Sequence, residues 1–224
     1  MTKSDNEARK QRILDAAADL FVHYGYDKTA VSDIARNAGV SKGAIYLHFS
    51  SKDELFEGLI IRETMIYQAR WLALIEADPK GGTIGGMYKN ILKALNSSAF
   101  MAAMFKQDSR VLGSYVRKPN NFFRRENHGT RHAFVKMMQD AGAIRHDVDA
   151  KVTAHIMDML AYGLVSMEEI KPAAEIPPVD DIIAGIAEMM DKAFTPADGG
   201  DSNAGKKVVQ QISAAAKASI MRNS

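Results

Sequence analysis

Apolar residues recur every three or four positions along almost the whole chain, and no stretch shows the two-residue alternation of a half-buried strand. That periodicity admits helices and excludes a sheet-based core. The spacing predicts a first helix from about residue 5 to 24, with Ser4 and Glu7 as a capping box and Gly25 as its end. A short helix follows Thr29, another runs from Ser41 to about His48, and a long one opens at Ser51, whose box partner is Glu54, and reaches about Ala77. Asp78-Pro79-Lys80-Gly81-Gly82 breaks the pattern. Further helices are expected over 83–96, 99–113, 119–141, 148–170 and 179–194, with Gly142, Pro172, Pro177-Pro178 and Pro196 between them. Asp198 to Asn203 has a flexible-linker composition, and a last helix over about 204–221 carries Val209, Ile212, Ala216 and Ile220 in a stripe.

Composition narrows the class. The chain has 224 residues, so it suits one two-part domain or two small ones. It has no cysteine, which excludes a disulfide scaffold, a cysteine nucleophile and a Cys-ligated zinc site. No signal-peptide core and no apolar run near the ~20 residues of a membrane span are present, so a soluble cytoplasmic protein is expected. The net charge of +2 excludes a polycation but hides segregation. Residues 1–60 hold eight basic and nine acidic side chains, 106–145 nine against three, 146–201 three against twelve, and 202–224 four against none.

The informative stretch is Thr29 to Leu55, TAVSDIARNAGVSKGAIYLHFSSKDEL. Its two short helices and tight turn make a helix-turn-helix. Ile34 and Ala35 pack inward, Gly39 supplies the left-handed turn residue, and Val40 plugs the angle between the helices. Ser41 caps the next helix and leaves its first amides pointing outward, where a phosphate or a base edge could sit. Lys42, Gly43 and Ala44 form the exposed first turn, small enough to approach the floor of a major groove. Ile45 and Phe49 point to the core; Tyr46 and His48 point out.

This segment resembles the DNA-binding domain of the TetR/AcrR family of bacterial transcriptional regulators. The resemblance rests on Thr29, Ile34-Ala35, Ala38-Gly39-Val40-Ser41, Tyr46-x-His48-Phe49 and Ser51-Lys52-x-x-Leu55, and covers about 50 residues. It implies that Thr29, Tyr46, His48 and Lys52 contact phosphates, while Ser41, Lys42, Gly43 and Ala44 form the reading turn, with Lys3, Arg9 and Lys10 adding backbone contacts. Phosphate contacts position the protein and base contacts specify sequence; so few long polar side chains imply apolar contacts, such as Ala44 on a thymine methyl, and shape readout.

Other patterns carry less. Gly39-x-Ser41-x-Gly43 matches the hydrolase elbow, but a helix precedes it where the elbow needs a strand. His128 and His132 share a helix face, as do His155 and Asp158, without a third partner at ligand spacing. The Gly81-Gly82 and Gly85-Gly86 pairs lack the dinucleotide fingerprint. Twelve of thirteen methionines follow residue 60; they read as gap-filling core or as a plastic pocket, for which Met101, Met104, Phe105, Phe134, Met137, Met138, Met159 and Met167 are the candidates. The basic block with Arg110, Arg117, Lys118, Arg124, Arg125 and Arg131 reads as a solvated face, an anion site or a subunit contact. The stripes Val152, Ile156, Met159, Gly163 and Ile182, Ile183, Ile186, Met190 are the interface candidates.

The expected fold is therefore all-α: an N-terminal three-helix helix-turn-helix DNA-binding domain over 1–50, a C-terminal helical-bundle ligand-binding and dimerisation domain over 51–195, and a linker and tail helix over 196–224. The resemblance implies a repressor that binds a palindromic double-stranded operator as a homodimer and is released by a small, largely apolar effector. No enzyme activity, cofactor, metal or membrane partner is expected. The alternative is a helical ligand sensor without DNA binding, and after it a hydrolase.

Overall fold

A helix ends where its backbone amides and carbonyls find other partners, and those ends set this architecture. The computed structural model describes residues 3–119, 121–122 and 131–223, without the side chains of residues 3 and 219–223, and every regular element among them is helical. In order these are α1 (Lys3–Lys28), α2 (Val31–Asn37), α3 (Lys42–Tyr46), α4 (Lys52–Ala77), α5 (Ile84–Asn96), α6 (Ala99–Lys106), α7 (Ser109–Leu112), α8 (Arg131–Asp140), α9 (Ala150–Ser166), α10 (Val179–Phe194) and α11 (Ser202–Asn223). Short 3₁₀ turns lie at Gly113–Arg117, Met167–Glu169 and Ala173–Glu175.

Several boundaries differ from the periodicity. α1 is already helical at Lys3, so Ser4 lies inside its first turn, and Glu7 accepts from Gln11 Nε2 at 2.8 Å. Its regular helix does end at Gly25, where φ is +82°. A Cβ there would stand 2.1 Å from the Arg110 carbonyl oxygen, so the position needs glycine twice over. The single helix expected over 99–113 is broken by the left-handed Gln107 (φ +52°) and restarted by Asp108, whose carboxylate accepts from Arg110 N at 2.9 Å. The helix expected over 148–170 begins after Asp149, which caps the amides of Lys151 and Val152, and gives way to a 3₁₀ turn after Ser166. Within the expected helix 119–141, Arg131–Asp140 is helical among the described residues; Asn120, Arg124, Arg125, Glu126 and His128 lie outside them.

The described residues form two compact units, one within Met1–Thr64 and Ala99–Asn127, the other within Met65–Ser98 and His128–Ser224. This grouping cuts the chain differently from the linear division 1–50, 51–195 and 196–224, because α6, α7 and the turn after them pack on α1. In the first unit Phe56 sits at the centre of an aromatic cluster, with ring centroids 4.8 Å from Phe21, 5.0 Å from Tyr26, 4.8 Å from Tyr115 and 5.9 Å from Phe100. Ile13, Leu14, Ile34, Ile45 and Leu59 close the core around it.

In the second unit α5 lies along α10 and α8 along α9. Gly85 N donates to Asp191 Oδ1 at 2.8 Å, and Arg131 Nε pairs with Asp158 Oδ1 at 2.7 Å. The segment read as a linker is a tied turn: Asp201 N donates to the Gly142 carbonyl at 3.1 Å, and the Asp201 carboxylate accepts from Ala204 N at 2.9 Å. α11 then docks on the 78–83 loop. Ser202 Oγ donates to the Pro79 carbonyl at 3.1 Å, Gly205 meets the Gly82 backbone, and Val208 and Val209 are buried. Among the described residues, no helix is long and apolar enough to cross a membrane.

Candidate nucleic-acid interface

The turn between α2 and α3 is built by backbone requirements that the local sequence meets. Ala30 precedes α2 in extended conformation, and Asp33 Oδ2 accepts its N–H at 3.3 Å. Ile34 and Ala35 are buried. Gly39 takes φ +65°, which lets Val40 N donate back to the Ala35 carbonyl at 3.0 Å. Ser41 is extended (φ −74°, ψ 153°), and its Oγ accepts from Ala44 N at 3.1 Å. Ile45 and Phe49 are buried beneath, so Lys42, Gly43 and Tyr46 are left exposed on the outer face, with Ala44 half-buried between them. Lys42 Nζ lies 5.9 Å from the Tyr46 ring centroid.

Three of the expected phosphate contacts sit differently from what their positions suggest. Thr29 is 2% exposed, and its hydroxyl donates to the Gly25 carbonyl at 2.8 Å. Its side chain therefore fastens the α1–α2 turn and is not presented to a phosphate. His48, expected to point outward, is half-buried; its Nε2 is buried without a hydrogen-bond partner among the described residues. Burial, then Arg9 and Lys10, hold its pKa below the ordinary value. Lys52 is half-buried with Nζ 4.2 Å from the Tyr26 ring centroid, between Asp27 and Asp53. Burial lowers its pKa against the pull of those two carboxylates. Lys10 Nζ lies 5.8 Å from the Phe49 ring, while the side chain of Lys3 is outside the described residues.

One exposed residue on this face is absent from the sequence-based candidates. Leu47, at the C-terminal end of α3, is 79% exposed. Its place as the variable member of Tyr46-x-His48-Phe49 is the available signal, because the pattern fixes its neighbours and leaves it outward. Two acids of this unit are engaged in pairs of their own. Asp15 pairs with Arg62 at 2.7 Å, and Glu57 Oε1 accepts from the Tyr115 hydroxyl at 3.0 Å. At the start of α4 the capping box is shifted by one residue. Ser51 Oγ accepts from Glu54 N at 3.1 Å, but the Glu54 carboxylate accepts from Ser50 N at 2.7 Å.

The remaining candidates separate. Of the eight expected pocket residues, Met101, Met104 and Phe105 belong to the first unit and Phe134, Met137, Met138, Met159 and Met167 to the second. Met104 and Met138 are packed core, whereas Met137 and Met159 face outward, so the eight do not line one space. The two expected interface stripes also divide. On α9, Val152 (58% exposed) and Met159 (62%) do face outward, joined by Tyr162 (53%). On α10, Ile183 and Met190 of the expected stripe are buried, Ile182 and Ile186 are half-buried, and Gly185 and Met189 lie outward beside them. Asp158 is paired with Arg131, not set beside His155 as a ligand, and the described residues contain no group of three or more metal-ligating side chains.

Comparison with known proteins agrees with this geometry. Residues 13–59 match the sequence model of the bacterial regulatory proteins of the tetR family. The chain is 46% identical over 52 residues to the A-factor receptor protein of Streptomyces griseus, a match spanning 23% of this chain and 19% of that protein. It is 27% identical over 180 residues to the transcriptional repressor AcnR of Corynebacterium jeikeium, over 74% of this chain and 84% of that one. The transcriptional regulator FadR of Bacillus subtilis, solved with stearoyl-CoA, superposes with a TM-score of 0.59 at 17% identity, covering 80% of this chain and 96% of its own. The capped, outward reading turn lies within residues 13–59, where the chain is similar to the tetR family of bacterial regulatory proteins, and the all-helical frame is one that FadR shares.

Proposed function

We propose that the protein is a repressor that binds a pseudo-palindromic operator as a homodimer in the cytoplasm and leaves it when a small, largely apolar molecule occupies the second unit. The observation that carries the DNA reading is the first turn of α3. Ser41 caps it, Ile45 and Phe49 anchor it, and Lys42, Gly43 and Tyr46 remain outward with Leu47 beside them. Two copies of α3 would enter successive major grooves ~34–36 Å apart. The outward apolar faces of α9 and α10 supply the pairing surface. The repressor AcnR supplies the analogy for repression, and FadR with its stearoyl-CoA the analogy for a small-molecule effector. α4 would be the lever, since its residues divide between the two units at Thr64. The effector can act only through a difference in affinity between the two states.

The test is retention of the protein's own promoter DNA in a gel shift, repeated over a salt series. Lys42→Ala should weaken all sequences and flatten the salt slope by about one unit. Ala44→Val should instead change which base pairs are preferred. Unchanged binding by both variants would show that α3 is not the reading helix.

A further inference from the structure

Leu47 is 79% exposed, more than any other large apolar side chain among the described residues. A single exposed leucine is ordinary on a protein surface; its place in the fold gives this one meaning. Its backbone (φ −72°, ψ −19°) continues the last turn of α3, and its N–H donates to the Gly43 carbonyl at 3.2 Å. At about 100° per residue, Gly43 and Leu47 lie within about 40° of each other, and each is about 160° round the helix from Ile45. Ile45 is buried. Gly43 and Leu47 therefore form the line of α3 that stands farthest from the core beneath it.

That line is open and apolar. A Cβ built on Gly43 would meet nothing nearer than Ser41 Oγ, at 3.8 Å. A surface that meets this face can come down to the backbone at Gly43, and it then reaches Leu47 one turn on. Helical side chains lean toward the N-terminus, so a leucine at 47 leans over the glycine. The polar groups beside the line are engaged nearby: Ser41 Oγ accepts from Ala44 N at 3.1 Å, and Lys42 Nζ lies 5.9 Å from the Tyr46 ring centroid. Neither Gly43 nor Leu47 has a side-chain donor or acceptor. A polar base edge covered by such a face loses its water and gains no hydrogen bond in return. In the major groove, the apolar feature that remains is the thymine C5-methyl group.

We propose that Leu47 is a specificity-determining residue that selects an A·T pair in each half-site, packing on the thymine methyl beside the opening left by Gly43. This rests on the DNA reading above and adds a base preference at a position beyond the reading turn 41–44. The test is a gel shift of the full-length protein on two forms of its own promoter fragment, one with thymine and one with uracil throughout, which differ by that methyl group. One buried methyl is worth about fourfold and a dimer would bury two, so the native protein should bind the uracil form about tenfold or more weakly. Leu47→Ala should weaken binding of the thymine form by about tenfold, and its own uracil penalty should be about fourfold or more smaller than the native one. Its salt slope should match the native slope, because no phosphate contact is lost, and its thermal unfolding midpoint should be retained. A native protein indifferent to uracil, or a Leu47→Ala variant that keeps the full uracil penalty, would overturn the proposal and leave the DNA reading standing. Equal weakening of the variant on both forms is the mark of a sugar contact in place of a base contact. Failure of the native protein to retain either form would sink the DNA reading itself, and this assignment with it.

Discussion

Both units bury an apolar core, but they differ in the polar groups they enclose and in the apolar groups they leave outside. In the first, aromatic and aliphatic groups fill the interior, and charges meet at its edges, as in Asp15 with Arg62 and Asp53 with Lys118. In the second, Asn90, Gln139, Thr153 and Ser166 are buried, Trp71 has an unpaired N–H inside, and Val152, Met159, Tyr162 and Met189 lie outside. An apolar interior with a polar edge specifies one rigid shape, which a DNA reader needs because its contacts are positional. Asn90 and Gln139 are hydrogen-bonded, but the Trp71 N–H and Ser166 hydroxyl inside, unpaired among the described residues, and the apolar groups outside are unfavourable for a chain standing alone. On the proposed function a ligand and a second copy would cover them. The difference between the units would then separate a part finished by folding from a part finished by binding.

The contrast is tested most severely at the centre of the first unit. Phe56 is fully buried against four other rings. Phe56→Ala should cost about 3–5 kcal/mol in urea unfolding. A loss well below that would mean the cluster can collapse around the gap and is not a rigid frame.

Next comes the outward face of α9. Met159→Glu would place a carboxylate in each half of a paired apolar surface, at a cost of about 3 kcal/mol or more to the dimer. Sedimentation or light scattering should show a shift to monomer with little change in helix content. A variant that stays as associated as the native protein would remove α9 from the interface and leave Val152, Met159 and Tyr162 without the role given to them.

These two cases also show what can be read along the chain and what cannot. The turn at Gly39, the cap at Ser41 and the burial of Ile45 follow from local rules acting within five or six residues, and the sequence pattern suffices for them. Thr29 and Lys52 look like phosphate contacts by position, yet one hydroxyl is taken by a carbonyl four residues back and one ammonium rests on a ring 26 residues away. The attachment of the 113–118 segment to the first unit is less visible still. Tyr115 reaches Glu57 and Lys118 reaches Asp53 across more than fifty residues, and no periodicity encodes such a pairing. The same applies to α9 and α10: spacing identifies an apolar stripe but not whether the core or a partner receives it, and so the pattern alone assigns Ile183 and Met190 to a surface they do not occupy.

The edge of the first unit should matter less than its centre. Lys118 binds Asp53, which also accepts from Tyr26, and both charged side chains are more than one-third exposed. Lys118→Met should therefore lower stability by less than about 1 kcal/mol, in line with exposed ion pairs. A loss as large as that of Phe56→Ala would show that the 113–118 attachment, and not the aromatic centre, holds the unit together.

The smallest expected effect is a slope, and it sits where the first unit buries a titratable nitrogen without a partner among the described residues. Burial, Arg9 and Lys10 depress the His48 pKa below its ordinary 6.5, while Glu7 on the same helix as those two cations pulls weakly the other way. The unfolded chain then takes up this proton at a higher pH than the folded one does. Above pH 6.5 both forms are neutral, and the residue contributes nothing to the pH dependence. As pH falls below 6.5 the unfolded state gains the proton first, and stability drops until the folded pKa is passed. The urea midpoint of the native protein should accordingly rise with pH toward 6.5 and then level. The difference between native and His48→Gln midpoints should carry that rise, because the other five histidines and the carboxylates are common to both. A difference that is flat, or that falls with rising pH, would mean His48 gains a partner for its charged form in the folded state. The first unit would then be less apolar at its reading edge than a part finished by folding alone.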